Sequence, residues 1–480
     1  MPTYRITISF ITILFTTCCL TFGGFASPAL AKNIVVTTLT DTADPPFDAN
    51  GPCGTGTISD LYRPDGDGLV SLREAIIAAN NTPGADTITF ATGGTIAVNS
   101  PLPALCGGHT RIEGDLDADG NPDITLEGSA LPAFAFIAGL GVISSHNTVS
   151  SLQVQHFPVG ILVQAGDFPI PGASGTVEHN TVANTVVTNS SFYGILVFTA
   201  GSDTQITHTT VTDNEVKENG FIGIFMSSSG DRNVFSHDTF ARNTVAGNAF
   251  VGILIQGGFD GADENTFEVD VKDNTVTDNG FSGIEILGGV ENSSNNHGVA
   301  RVRGNTVERG HRNQGIGAIA GIGAENSSNG TSNNNVLDVR IEQNTVRNQT
   351  GEGMYIAAGE GSPDGRPGGI ADSNQMQVIV EHNTVENNPA KGIEVDAGST
   401  GEASGNALEV RVAHNTVCHN TDIAIRGEGG FSGDALFPAN TGARNVLTGK
   451  IFQNTATVVV QDGTSGNTAD VRQFKNDLCP

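Results

Sequence analysis

Between Thr266 and Asn274 the chain reads TFEVDVKDN, with apolar and polar residues taking turns. The same alternation returns in NVLDVRIEQN, QMQVIVEHN and ALEVRVAHN, which end at Asn344, Asn383 and Asn415. Successive side chains of a strand point to opposite faces, so each segment predicts a strand with one buried face. After each comes a short turn, and then an apolar run opened by glycine. These runs are GILV at 160 and 194, GIFM at 223, GILI at 252, GIEI at 283, GMYI at 353 and GIEV at 392. A polar loop of variable length closes the unit.

Asn-Thr-Val marks the register. Its Asn stands at 147, 180, 243, 274, 305, 344, 383 and 415, and Thr209 and Asn454 fill the series in TTV and NTA. The steps run from 29 to 39 residues, a period that signals a repeat architecture. The wealth of Gly, Asn and β-branched residues speaks against a helical solenoid. No leucine frame supports a leucine-rich repeat. The expectation is an all-β fold, a right-handed parallel β-helix. It is a single-stranded solenoid of about ten or more coils whose strands pair about 4.8 Å apart. One coil cannot bury its inner face alone, so the stack is the folding unit.

At a sharp corner Asn accepts a left-handed backbone, and its amide bonds neighbouring main chain. Asn180, Asn243, Asn274, Asn305, Asn344, Asn383 and Asn415 are therefore expected to stack as one turn ladder. A second Asn often follows five residues later, at 248, 279, 388 and 420. Phe221, Phe250 and Phe281, just ahead of the glycine runs, are expected to stack in the interior.

The two ends read differently. MPTYR, a long apolar stretch and ALA before Lys32 read as a signal peptide over 1–31. Residues 32–140 read as an N-terminal cap with the first coils, 141–460 as the β-helix repeats and 461–480 as a C-terminal cap or tail. Ser71 and Glu74 form the S-x-x-E of a capping box, predicting a short helix from Leu72 to Ala79 that covers the open solenoid end. No later segment is apolar over a length that spans a bilayer.

Charge narrows the partners. Asp and Glu number 51 against 23 Lys and Arg, a net −28. That field disfavours nucleic acid and anionic membranes and favours cations. Cys53, Cys106, Cys418 and Cys479 remain after leader removal and predict disulfides, with three pairings open. Cys53 and Cys106 lie together in the N-terminal part, and Cys479 is placed to fold back on Cys418. Asp115, Asp117, Asp119 and Asp123 space oxygens as a loop around a structural Ca²⁺ would, although Leu126 stands where an EF-hand has Glu. A second acidic run places Asp65, Asp67 and Glu74 similarly, with Arg63 at the first ligand position.

Outward positions of the glycine runs read Leu162, Leu196, Phe225, Leu254, Glu285, Tyr355, Glu394 and, in the last copy, Ala424. Glu285, Tyr355 and Glu394 are the candidate catalytic residues. Glu285 and Glu394 fall three coils apart, roughly 14 Å at strand spacing. Glycosidase carboxylate pairs sit about 5 to 9.5 Å apart. The other outward face offers Asp270, Arg301, Arg340, Ile379 and Arg411, flanked by carboxylates in a pattern expected of lattice pairing. His146, His179 and His208, and later His382 and His414, precede corner residues. They are expected as polar corner residues, with metal ligation the other use of stacked imidazoles.

Residues 140–460 resemble right-handed parallel β-helix proteins of the pectin-lyase-like fold. VSLREAIIAAN followed by GADTITF resembles the CSLREA type of N-terminal module, with Val70 in place of its Cys. The resemblance implies a secreted or surface β-helix protein. The Asp-Asp and Gly-His-Gly pattern of polygalacturonases and the patterns of pectate lyases are absent. DGRPGG at 364–369 shares Gly-Arg-Pro with pectin methylesterases but lacks the following Trp. The reading is a secreted, monomeric binding or structural module without catalysis, adhesin-like or carbohydrate-associated. Its expected partner is an extracellular polysaccharide or a cell-surface component. The alternative is a polysaccharide lyase or glycoside hydrolase.

Overall fold

The computed structural model describes residues 31–48, 51–64, 66–132, 136–323, 330–361, 369–430, 443–463 and 466–479. The expected signal peptide (all but Ala31), Asp65 and most of DGRPGG lie outside the described residues.

One turn of chain shows how the pattern becomes a coil. Thr266–Lys272 lies on a first sheet, Thr275–Thr277 on a second and Ile284–Val290 on a third; His297–Arg303 then returns to pair in parallel with Thr266–Lys272. Repetition builds one sheet of 16 strands and two of 11, with strand order following chain order. The fold is a parallel β-helix, right-handed as crossovers between parallel strands are. Val269, Val271, Val276, Ile284 and Ile286 point inward and are buried, and their equivalents in every coil form one core running the length of the molecule. Among the described residues no helix is long and apolar enough to cross a membrane.

Buried amides hold the corners. From Asn214 through Asn243, Asn274, Asn305, Asn344, Asn383 and Asn415, each backbone N–H donates to the Oδ1 of the next corner residue at 2.9–3.0 Å, ending on Asn454. Asn180 departs from the expectation because it stands at a different corner. It accepts from the Asn147 N–H at 2.7 Å, in a column that continues through Thr209 to Asp238. In the early coils an extra bend splits the first sheet, as between Thr176–Glu178 and Thr181–Ala183. From Val234–Ala241 onward the two pieces run as one strand. Two further ladders run beside these. One joins Ser190, Asn219, Asn248 and Asn279. The other joins Thr204, Asn233, Asn265, Asn296, Asn335, Asn374, Asn406 and Asn445.

The repeated glycine has a packing cause. A Cβ on Gly223 would lie 2.7 Å from both the Asn248 amide nitrogen and the Gly252 carbonyl oxygen. Phe221, Phe250 and Phe281 do stack, at 4.9 and 4.6 Å between rings, but outside the core against a second apolar cluster. Ile222 and Val251, which follow the rings in the chain, are buried in that same outer cluster and not in the core.

The short N-terminal helix forms, one residue longer than expected. Helix Leu72–Asn80 begins at a capping box in which the Ser71 hydroxyl accepts from the Glu74 N–H and the Glu74 carboxylate accepts from the Ser71 N–H. Arg73 ties the helix to Asp41 at 2.8 Å and to the Ser100 and Pro101 carbonyls. Cys53 bonds Cys106, and Cys418 bonds Cys479. The coil continues past residue 460, because Thr468–Phe474 adds another strand to the first sheet.

Candidate functional site

Two outer faces gather chemistry. On the third sheet, backbone register aligns Leu254, Glu285, Gly317, Tyr355, Glu394 and Arg426 in one outward column. Ala424 does not face outward. It takes the place of the repeated glycine, where its carbonyl sits 2.5 Å from a Cβ built on Gly392. Asp396 and Glu428 form a neighbouring column beside Ala357.

The C-terminal part of this face is a closed ionic cluster. Glu394, Asp396 and Glu428 are 2%, 0% and 0% exposed. The Lys391 ammonium lies 2.9 Å from Glu394, whose other oxygen is 3.6 Å from Arg426. Arg426 also pairs with Glu428. The Tyr355 hydroxyl donates to Ser399. Neither oxygen of Asp396 has a hydrogen-bond partner among the described residues. Burial pushes the Asp396 carboxyl well above the usual carboxylate range, and the charges of Glu394 and Glu428 push the same way. Burial also raises Glu394, to about 7, against the pull of Lys391 and Arg426. Tyr355 is raised by burial and by Glu360 and Asp396.

The structure brings Tyr355 and Glu394 together on adjacent strands but leaves Glu285 two strands beyond Tyr355. Glu285 is buried among the apolar residues of the outer cluster and accepts from the Gln314 amide at 3.0 Å. At strand spacing it stands about 14 Å from Glu394, so the two carboxylates do not form a pair. Lys391, Asp396, Arg426 and Glu428 were not among the residues the sequence singled out.

The first sheet presents the open face. Val299, Arg301, Asp338, Arg340, Gln377, Ile379, Glu409 and Arg411 line a shallow groove of about 400 Å³ across four successive coils. Val299 and Ile379 give it an apolar floor. Each guanidinium is braced by a carboxylate. Arg301 lies 3.3 Å from Glu268, Arg340 3.3 Å from Glu342 and Arg411 2.6 Å from Glu381. Arg411 also lies over the Phe452 ring, at 5.4 Å. A guanidinium has five donors, so a braced one still presents N–H groups to a ligand.

At the cap, the side chains of Asp115, Asp117 and Asp123 offer oxygens within 4.8 Å of one another. Asp119 stands apart and accepts from the Asn121 N–H at 2.8 Å. The second acidic run does not assemble a comparable set among the described residues. Glu74 is held by Ser71 and by the Asp44 N–H, and Asp67 accepts from the Leu69 N–H.

No protein-family model matches the chain, and no curated protein matches its sequence. Solved structures match in shape. The A-module of mannuronan C-5 epimerase AlgE6 from Azotobacter vinelandii is 14% identical, with TM-score 0.49 over 83% of this chain and 91% of that one. The Dettilon tailspike protein is 13% identical, with TM-score 0.46 over 92% of this chain and 68% of its own. The Yersinia enterocolitica family 28 exopolygalacturonase is 10% identical, with TM-score 0.40 over 84% and 75%. The likeness is one of coiled architecture, and no chemistry is transferred from it.

Proposed function

We propose that the chain is an exported β-helix protein that binds a hydroxyl-rich polysaccharide along the groove of its first sheet without cleaving it. The observation that carries this reading is the open row of braced arginines, carboxylates and an amide repeating at coil spacing over Val299 and Ile379. An extended polymer laid along the axis meets donors and acceptors at regular steps. Carboxylates accept from sugar hydroxyls, and guanidinium forks donate to ring oxygens or to occasional carboxylates. The two disulfides support an oxidising, extracytoplasmic compartment. Affinity electrophoresis in gels cast with neutral and weakly acidic polysaccharides tests the reading. The chain from residue 32 onward is expected to be retarded by at least one of them, and Arg340→Ser with Arg411→Ser to relieve most of the retardation. Unchanged mobility in every gel, or equal retardation of the double variant, contradicts it.

A polysaccharide lyase or glycoside hydrolase remains the second reading, favoured by Asp396. A carboxyl pushed well above the usual range by burial, with a guanidinium and an ammonium nearby, is suited to protonating a leaving oxygen. Its enclosure ranks this reading second. A structural Ca²⁺ held by Asp115, Asp117 and Asp123 belongs to the proposal as well. EDTA is expected to lower the melting temperature of the parent chain and to leave an Asp117→Asn variant unmoved. An identical melting curve with and without EDTA rejects the ion.

A further inference from the structure

His109, His146, His179, His208 and His237 form a column on the outside of the first sheet, one per coil. Their rings stack at 4.6, 5.1, 4.5 and 4.9 Å, with planes within 22° of parallel. All five are exposed, and all five have φ between 55 and 63°. His382 and His414 stack separately, at the next corner of the coil.

The left-handed backbone does not call for histidine. The next corner imposes the same conformation and takes Asn184, Asp213, Arg242, Asp273 and Gln343. Nor does the fold use the rings, because the buried residues that follow them, from Asn147 to Asp238, make the inter-coil bonds. Yet five of the chain's 11 histidines stand in this one column. Carboxylates join it at two points. Glu178 lies 3.8 Å from the His146 Nε2, and Glu268 lies 3.7 Å from the His237 Nε2.

We propose that this rail binds divalent transition-metal ions of the Zn²⁺ type at two sites, His146–His179 with Glu178 and His208–His237 with Glu268. Two imidazoles and a carboxylate are a donor set such ions favour, whereas Ca²⁺ prefers oxygen alone. Metal–nitrogen bonds of about 2.0–2.1 Å require each pair of ring tips to turn toward one another. Exposed side chains make that turn while the ladder beneath holds the backbone spacing. The proposal does not depend on what the groove of the first sheet binds.

Equilibrium dialysis of the tag-free chain against Zn²⁺, with Ca²⁺ in excess to saturate acidic loops, reads the sites directly. The parent is expected to bind two ions. His146→Asn with His208→Asn removes one ring from each pair and keeps a residue that accepts positive φ. Its affinity is expected to fall at least tenfold. A parent that binds no Zn²⁺, or a folded double variant that binds as tightly as the parent, overturns the proposal. On the unaltered chain, Zn²⁺ is expected to shield these histidines from diethyl pyrocarbonate, read by peptide mass. Full modification in its presence equally overturns it.

Discussion

Asp238 stands where the other ladder corners use a neutral side chain. Its Oδ1 accepts the Thr209 N–H at 2.7 Å, and its Oδ2 has no partner among the described residues. Burial pushes its carboxyl well above the usual range, so the protonated form, an isostere of asparagine, is the one that fits. A carboxyl raised in the folded state gives its full stabilisation below its unfolded pKa and loses it as pH rises through the folded value. Asp238→Asn is therefore expected to equal the parent near pH 4 and to become progressively more stable than it toward about pH 7, by urea unfolding. A gap that does not change with pH contradicts this. At this scale the sequence showed some residues and hid others. Glu394 was visible from GIEV, and Asp396 follows it two residues later on the same face, but Arg426 was missed because Ala424 was read as the outward residue. Ala424 in the glycine position shifted the apparent frame of the last copy, and with it the cation that pairs with both Glu394 and Glu428.

Ladders are the elements that fix one coil on the next. In the Asn305 side chain, Oδ1 accepts the Asn274 N–H, and Nδ2 donates to the Val271 carbonyl and to Asn344. Asn305→Ala strands these buried groups, each costing about 1–3 kcal/mol when unmet. The expected loss is about 2–4 kcal/mol in the midpoint-derived stability of the coil stack. A loss within about 0.5 kcal/mol, the usual range of a surface change, would show that the ladder is not a stabilising element. The ladder from Asn214 to Asn454 was largely legible, because Asn-Thr-Val marks it at Asn243, Asn274, Asn305, Asn344, Asn383 and Asn415. The ladder at the start of the first-sheet strands was equally written and went unread. Asn265, Asn296, Asn335, Asn374, Asn406 and Asn445 each stand nine residues before an Asn of the first series. The extra bend of the early coils could not be seen, since Asn-Thr-Val reads the same at either corner. Whether two short strands fuse into one depends on pairing with the following coil.

For the molecule as a whole, alternation, period and corner residues all pointed to one architecture, and the coils follow it from the capped N-terminal end to Thr468–Phe474. Function was less legible because it lies in how outward residues of separate coils meet. The arginines were read as ordinary lattice charge, and they are paired. Only register over four coils shows that with Val299, Gln377 and Ile379 they bound a groove. Only burial shows that the carboxylates of the third sheet are closed in. The two faces thus divide the molecule into an open surface suited to holding a polymer and a shut ionic cluster. The most direct test incubates the purified chain with every polysaccharide that retards it and assays for new reducing ends and unsaturated products. The account predicts retention with no product above background. Cleavage by the parent that disappears in Asp396→Asn would contradict it and move the function to the third sheet.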